Sequence, residues 1–400
     1  MKYGWKEGKL GDLCSDISYG YTESASQVPV GPKFLRITDI VPGRVNWETV
    51  PYCKISNADR TKYELKEGDI VIARTGATTG YTYTIKPSDL ENEAVFASYL
   101  IRYRIDKEKA DPFFVGHLLT SIEWKGFVES ILGGSAQPGA NAKQFANFEI
   151  SLPSLPEQRA IAAVLSSLDD KIDLLHRQNK TLESLAETIW RKMFVEEAEE
   201  GWRTITLKEC CRVITKGTTP TTLKKAFVAQ GINFIKVNCI DENGGFLSDK
   251  FDQIDQETDE LLRRSRLEDG DILYSIAGTI GRMAVVNKDI LPANTNQAIA
   301  ILRVDNNICN FLFIKYCLKD RVIMEDLHSK IVHAVQPNLS LGEIANTVLP
   351  HPPQELLNEF ISVAEPIELK LRENKFQIHT LSHLRNTLLP KLMGGEVICV

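Results

Sequence analysis

Two short glycine-bounded loops hold side chains well suited to hydrogen-bonding chemistry. The first closes GDIVIARTGATTG (68–80) and offers Arg74, Thr75, Thr78 and Thr79, with Tyr81 just beyond. The second closes GDILYSIAGTIG (270–281) and offers Ser275 and Thr279, with Arg282 just beyond. Other candidates in the first half are Lys33, Arg36, Asn141 and Lys143. In the second half they are Lys216, Thr218, Lys224, Lys225, Lys236, Asn238, Asn296, Gln297 and Asn338. Arg and Lys donate to guanine, and Asn or Gln bonds adenine in two places. Thr, Ser and backbone amides hold phosphate. Taken singly, each such residue is more often an ordinary surface polar group. As a set on loops, they suit recognition of a nucleic acid.

The motifs of bond-making are missing. No GxxxxGK[ST] loop occurs: Gly80 is followed by Tyr81 and Gly281 by Arg282. No Asn-Pro-Pro-aromatic motif of adenine methyltransferases is present, and neither HExxH nor paired-cysteine zinc spacing occurs. Glu368-Leu-Lys370 is a fragment of a nuclease-like ExK without its aspartate. His379 and His383 share a helix face without a third ligand. The chain is expected to hold no catalytic residue, no metal and no cofactor of its own.

Two long helices are expected to position the loops. In LPSLPEQRAIAAVLSSLDDKIDLLHRQNKTLESLAETIWRKMF (152–194), Ile161, Leu165, Leu168, Ile172, Leu175, Asn179, Leu182, Ala186, Ile189 and Met193 alternate in steps of four and three. That is the seam of a coiled coil. Pro156 suits a first helical turn and Glu157 its positive end. In the C-terminal stretch, Leu356, Phe360, Val363 and Ile367 begin a second stripe, and Leu371, Asn374, Ile378, Leu381, Leu388 and Leu392 continue it, with Arg385 in one slot. This stripe slips by one residue beside Pro366, where a bend is expected. Asn179 and Asn374 lie on the two seams, and a buried Asn pair fixes register.

The chain has 400 residues, 43% hydrophobic and 25% charged, which suits two or three soluble domains. No apolar run reaches membrane-span length and no signal-like segment opens it. The eight cysteines lack metal or disulfide spacing, and Cys399 lies too late for a prenylation box. Reduced thiols in a cytoplasmic protein are expected. Net charge is −6. The acidic surplus sits mainly on the helical stretches, leaving 1–150 and 201–350 near neutral. Neutral blocks predict weak non-specific nucleic-acid binding, with partner subunits supplying positive surface.

The chain is one plan written twice. An offset of 197 carries Trp5 to Trp202, Leu10 to Leu207 and Cys14 to Cys211. FLRITDI (34–40) matches FIKVNCI (234–240), each alternating like a half-buried strand. The two GDI segments match, as do Gln137-Pro138 and Gln336-Pro337. Residues 111–132 and 310–324 read as helices among short strands. The expected class is α+β: two similar globular domains and two long helices that form an antiparallel coiled coil with pseudo-twofold symmetry. The boundaries are 1–151, 152–196, 197–349 and 350–400, alternating domain and helix. Antiparallel pairing would set the domains at opposite ends of the rod.

This order, with Leu155-Pro-Glu-Gln158 at the head of a long helix and the two GDI–glycine loops, resembles the specificity subunit of type I restriction–modification systems. The resemblance spans essentially the whole chain. It implies two target recognition domains, each reading half of a split double-stranded DNA site, with the helices as conserved spacers. It also implies docking of two methyltransferase subunits that carry S-adenosylmethionine and methylate adenine, which translocase-nuclease subunits can join. Leu155, Pro156, Glu157, Gln158, Arg159 and Pro353 would contact those subunits. The second helix departs from the pattern, opening Pro353-Gln-Glu-Leu356 instead of Pro-Glu-Gln-Arg. A coiled-coil scaffold that binds protein only is the alternative. A fused restriction–modification enzyme is a third reading, which the missing motifs oppose.

Overall fold

A computed structural model describes residues 5–41, 43–133, 139–199, 201–331 and 337–395. Gln137, Pro138, Gln336 and Cys399 lie outside them. The chain forms two compact units: Met1–His176 with Phe376–Val400, and Arg177–Lys375.

In the first unit, an antiparallel sheet has the order Cys14–Tyr19, Leu100–Ile105, Asp69–Ala73, Thr82–Thr84. The central strand DIVIA is buried at every position. Its side chains alternate between two cores, as the period of two requires. Ile70 and Ile72 join Phe114, Trp124, Ile161 and Leu165, while Val71 and Ala73 join Leu35, Ile40 and Phe96. The second unit repeats the order with Cys211–Lys216, Ile299–Val304, Ile272–Ser275 and Met283–Val285. Even an irregularity recurs, the pairing shifting between Cys14 and Asp16 and between Cys211 and Val213. A parallel pair also recurs, Lys33–Leu35 with Ala94–Phe96 and Ile232–Ile235 with Ala293–Thr295. The second unit adds Asp252–Ile254 to that pair. The class is α+β.

Four local expectations change. The strand expected over 34–40 ends at Leu35, and one helical turn, Ile37–Ile40, follows. Asp39 starts that turn by accepting the Arg36 backbone N–H at 2.8 Å. Residues 234–240 behave alike, a strand to Ile235 and then a tight turn Val237–Cys239. The helix expected over 111–132 is two, Pro112–Leu118 and Ile122–Leu132, because Ser121 caps the second. Likewise Asp320 separates Phe311–Lys319 from Arg321–Ser329.

The long helices are Leu155–Arg191, continuing through a wider turn Lys192–Glu196, and Gln354–Met393. In the second unit, Asn374 Nδ2 donates to Asn179 Oδ1 at 2.9 Å, both side chains buried. The Phe194 and Phe360 rings meet at 5.4 Å. The chain thus advances along one helix as it retreats along the other, and the pairing is antiparallel. The first unit agrees: Arg385 Nη1 donates to Asp169 Oδ1 at 2.8 Å, and Ile161, Ala162 and Leu165 share a core with Leu388, Leu392 and Met393. The second stripe needs correction. Val363 is 40% exposed and Ala364 is buried, so the seam runs Leu357, Phe360, Ala364, Ile367, Leu371, Asn374. Steps of three and four then hold throughout and the slip vanishes. The helix continues unbroken through Pro366.

Candidate nucleic-acid interface

Each GDI aspartate is an anchor. Asp69 accepts Arg104 Nε and Nη2, both at 2.7 Å, and the Lys66 backbone N–H at 2.8 Å. Asp271 accepts Arg303 Nε and Nη2, both at 2.8 Å, and the Glu268 N–H at 2.7 Å. Both carboxylates are 1% exposed, and each holds its arginine's pKa above the usual guanidinium value despite partial burial. A bidentate pair to the neighbouring strand fixes where each GDI strand begins. The partners Arg104 and Arg303 stood in LIRYRI and IAILRV, but the pairing needed the strand order.

In the first unit the loop is clamped at both ends. The Arg74 N–H donates to Tyr99 O at 3.0 Å, and Arg74 O accepts the Ala140 N–H at 2.9 Å. Thr75 bridges Gly139, and the buried Thr79 donates to Gly76 O at 2.7 Å. Tyr19 OH accepts the Ala142 N–H at 3.0 Å. Arg74, Thr75, Thr78, Tyr81, Asn141 and Lys143 are therefore carried by two abutting segments. Asn141 itself caps the helix Ala142–Ala146. Two candidates are engaged elsewhere. Lys33 is buried, donates to Val50 O at 2.8 Å and lies 4.2 Å from the Tyr52 ring centroid. Arg36 pairs with Asp39 at 2.9 Å.

The second unit builds the corresponding place from different residues. Leu339 N–H donates to Ile276 O at 2.9 Å and Ile276 N–H to Ala298 O at 2.8 Å. Ala277 bridges Asn338. Gly217 N–H donates to Asn296 O at 3.1 Å, and Thr219 bonds Gln297. Lys216, Thr218, Thr279, Asn296, Gln297 and Asn338 are thus brought together. Ser275 is fully buried, donating to Thr279 O at 2.6 Å and accepting the Arg282 N–H at 2.7 Å, so it shapes the loop. Arg282 reaches Ile240 O at 3.0 Å. Lys225 pairs with Glu257 at 2.6 Å and Lys236 with Asp252. Lys224 and Asn238 are exposed outside this cluster. Gly20 and Gly217 admit no side chain: a Cβ would come 2.2 Å from Ala97 O and 1.8 Å from Thr295 O.

Tyr19, Tyr99 and Thr219 were not foreseen. Repeat alignment could have nominated Tyr19, which occupies the place of Lys216. Among the helix-head residues, Gln158 is 2% exposed; it accepts the Asp111 N–H and donates to Pro153 O, both at 2.9 Å. Its polar atoms are spent inside the unit, whereas Pro156, Arg159 and Pro353 are exposed and Leu155 and Glu157 partly so. Glu368 accepts Lys315 at 2.5 Å and Tyr316 OH at 2.7 Å. Burial raises its pKa, but those two donors outweigh burial and hold it below the ordinary carboxyl value. The ExK fragment is therefore part of a structural ion pair.

Two relatives align with nearly the whole length of this chain. A specificity subunit of the MjaIX type I restriction enzyme from Methanocaldococcus jannaschii is 24% identical, over 99% of this chain and 98% of that one. The HindI specificity subunit from Haemophilus influenzae is 22% identical, over 98% and 99%. The fold matches a crystal structure of a type I restriction–modification S subunit from M. genitalium with a TM-score of 0.63, covering 97% of this chain and 96% of that one at 17% identity. The type I restriction modification DNA specificity domain model matches twice, over residues 2–184 and 199–356, and the chain belongs to that family.

Proposed function

We propose that this chain is the DNA-specificity subunit of a type I restriction–modification complex and makes or breaks no bond itself. Each domain reads one half of an interrupted, asymmetric target, and the long helices keep the halves at a set gap. The observation that carries this is an anchor repeated in both units beside loops that differ. Asp69–Arg104 and Asp271–Arg303 hold equivalent strands alike, while Arg74-Thr75 in one loop faces Ile276-Ala277 in the other. One scaffold thereby presents two different sets of donors, as two different half-sites require.

A helix of 37 residues spans ~55 Å, about sixteen base pairs at ~3.4 Å each, enough for two short half-sites and an unread gap. With ~1–3 kcal/mol per specified pair, six or seven pairs discriminate strongly. Two methyltransferase subunits carrying S-adenosylmethionine would dock along the helices, with translocase-nuclease subunits joining for cleavage, all in the cytoplasm. No helix among the described residues is long and apolar enough to cross a membrane. Methylome sequencing of cells carrying this chain and its methyltransferase should give one interrupted asymmetric motif. Exchanging residues 201–350 for another such domain should change one half only. An assembled complex that methylates no such motif would defeat the proposal.

A further inference from the structure

The Arg74 guanidinium lies 5.0 Å from the centroid of the Tyr19 ring. That ring is 42% exposed and fixed through its hydroxyl to Ala142. Arg74 is clamped on both sides of its backbone, yet its guanidinium forms no hydrogen bond or ion pair with any described residue, and its Nε is buried without an acceptor. Several other arginines of these domains are neutralised: Arg36 by Asp39, Arg102 by Asp16, Arg104 by Asp69, Arg303 by Asp271. A planar cation stacked on an aromatic ring, with unused donors, is preorganised for a two-pronged acceptor. In duplex DNA the base edge of that shape is guanine O6/N7.

We propose that Arg74, held against Tyr19, is the guanine-reading side chain of the first unit. Tyr19 is a positioning residue that fixes the plane of the fork. At the equivalent places the second unit has Ile276 and Lys216, so its half-site is read without an arginine of this kind. The inference rests on the DNA-recognition reading above and adds the base and the residue.

The test measures methylation rates of the assembled complex on duplexes carrying single base-pair changes at every specified position. Arg74→Ala should erase discrimination at one guanine of one half-site, by roughly 5- to 150-fold, the equivalent of one bidentate contact. The other half-site should be read unchanged. Arg74→Lys, which keeps charge and bulk but not the fork, should weaken discrimination at the same position, leaving other positions unchanged, and serves if the alanine variant does not fold. Tyr19→Leu should weaken discrimination there, and Tyr19→Phe should retain most of it. Equal loss on every duplex would identify a phosphate contact and overturn the proposal, as would unchanged discrimination. A wild-type complex that discriminates no base pair would instead defeat the DNA-recognition reading itself.

Discussion

Replacing Asp271 by Asn tests whether the buried anchor holds the loop-bearing sheet. The carboxylate accepts two N–H groups of Arg303 and one of Glu268 and is 1% exposed. An amide of the same shape removes the charge and turns one acceptor oxygen into a donor, which must face another N–H. Breaking a buried pair from one side costs ~3–5 kcal/mol. Arg303 keeps 16% exposure and a second carboxylate, Glu268 at 2.6 Å, so the low end, about 3 kcal/mol, is expected. With a urea slope of about 2 kcal/mol/M, the unfolding midpoint should fall by about 1.5 M. Hydrogen exchange resolves where the loss occurs: amides of Ile272–Ser275 should exchange faster while those of Asp69–Ala73 do not. Asp69→Asn should give the mirror result. In a double-mutant cycle, adding Arg303→Met to Asp271→Asn should cost far less than the two single losses together. A loss below about 1 kcal/mol, the scale of an exposed pair, would refute the anchoring role.

Asn374→Leu alone should destabilise by about 1–3 kcal/mol, because it strands the buried Asn179 amide. Asn179→Leu with Asn374→Leu should restore or raise the melting temperature, and a double variant weaker than the single would count against the pair. Burial lowers the His117 pKa, Asp169 opposes that, and Arg385 and Lys86 add to the lowering. Between that lowered value and about 6.5 the unfolded chain binds more protons. Stability should therefore fall as pH drops through about 6.5, and His117→Gln should show a smaller drop in melting temperature between pH 7.5 and 5. Removing one heptad between residues 167 and 185 should shorten the unread gap in the methylated motif or abolish assembly. An unchanged gap in an active complex would end the spacer role.

The repeat, the class and the first seam were legible because periodicity is a property of sequence alone. The second seam was misread at two residues, Leu356 and Val363, where Leu357 and Ala364 are the buried ones. Val363 outranks Ala364 in hydrophobicity, yet a tight helix pair favours the small side chain beside Phe360. Ser121 and Asp320 were visible as polar residues inside apolar runs. Their capping role depends on the chain turning there, which packing against the sheet decides. The loops were harder still. Lys33 and Arg36 have the composition of DNA contacts, but Val50 and Asp39 take up their donors; the fold brings Val50 to Lys33, and a local turn three residues long brings Asp39 to Arg36.

Tyr19 shows what residue type leaves unmarked at the loops. A tyrosine before Gly20 looks like strand packing, and a lysine at the equivalent Lys216 looks like a phosphate contact. The same backbone place, beside the same obligatory glycine, carries both. Gly20 and Gly217 force the strand end against Ala97 and Thr295, so whatever precedes them must stand beside the GDI loop. A substitution there changes which cations the loop can present without disturbing Asp69 or Asp271, whose pairs lie within the sheet. On the proposed reading, stability and specificity occupy separate residues of one domain, and the two copies can differ at Tyr19 and Lys216 while Asp69–Arg104 and Asp271–Arg303 stay alike.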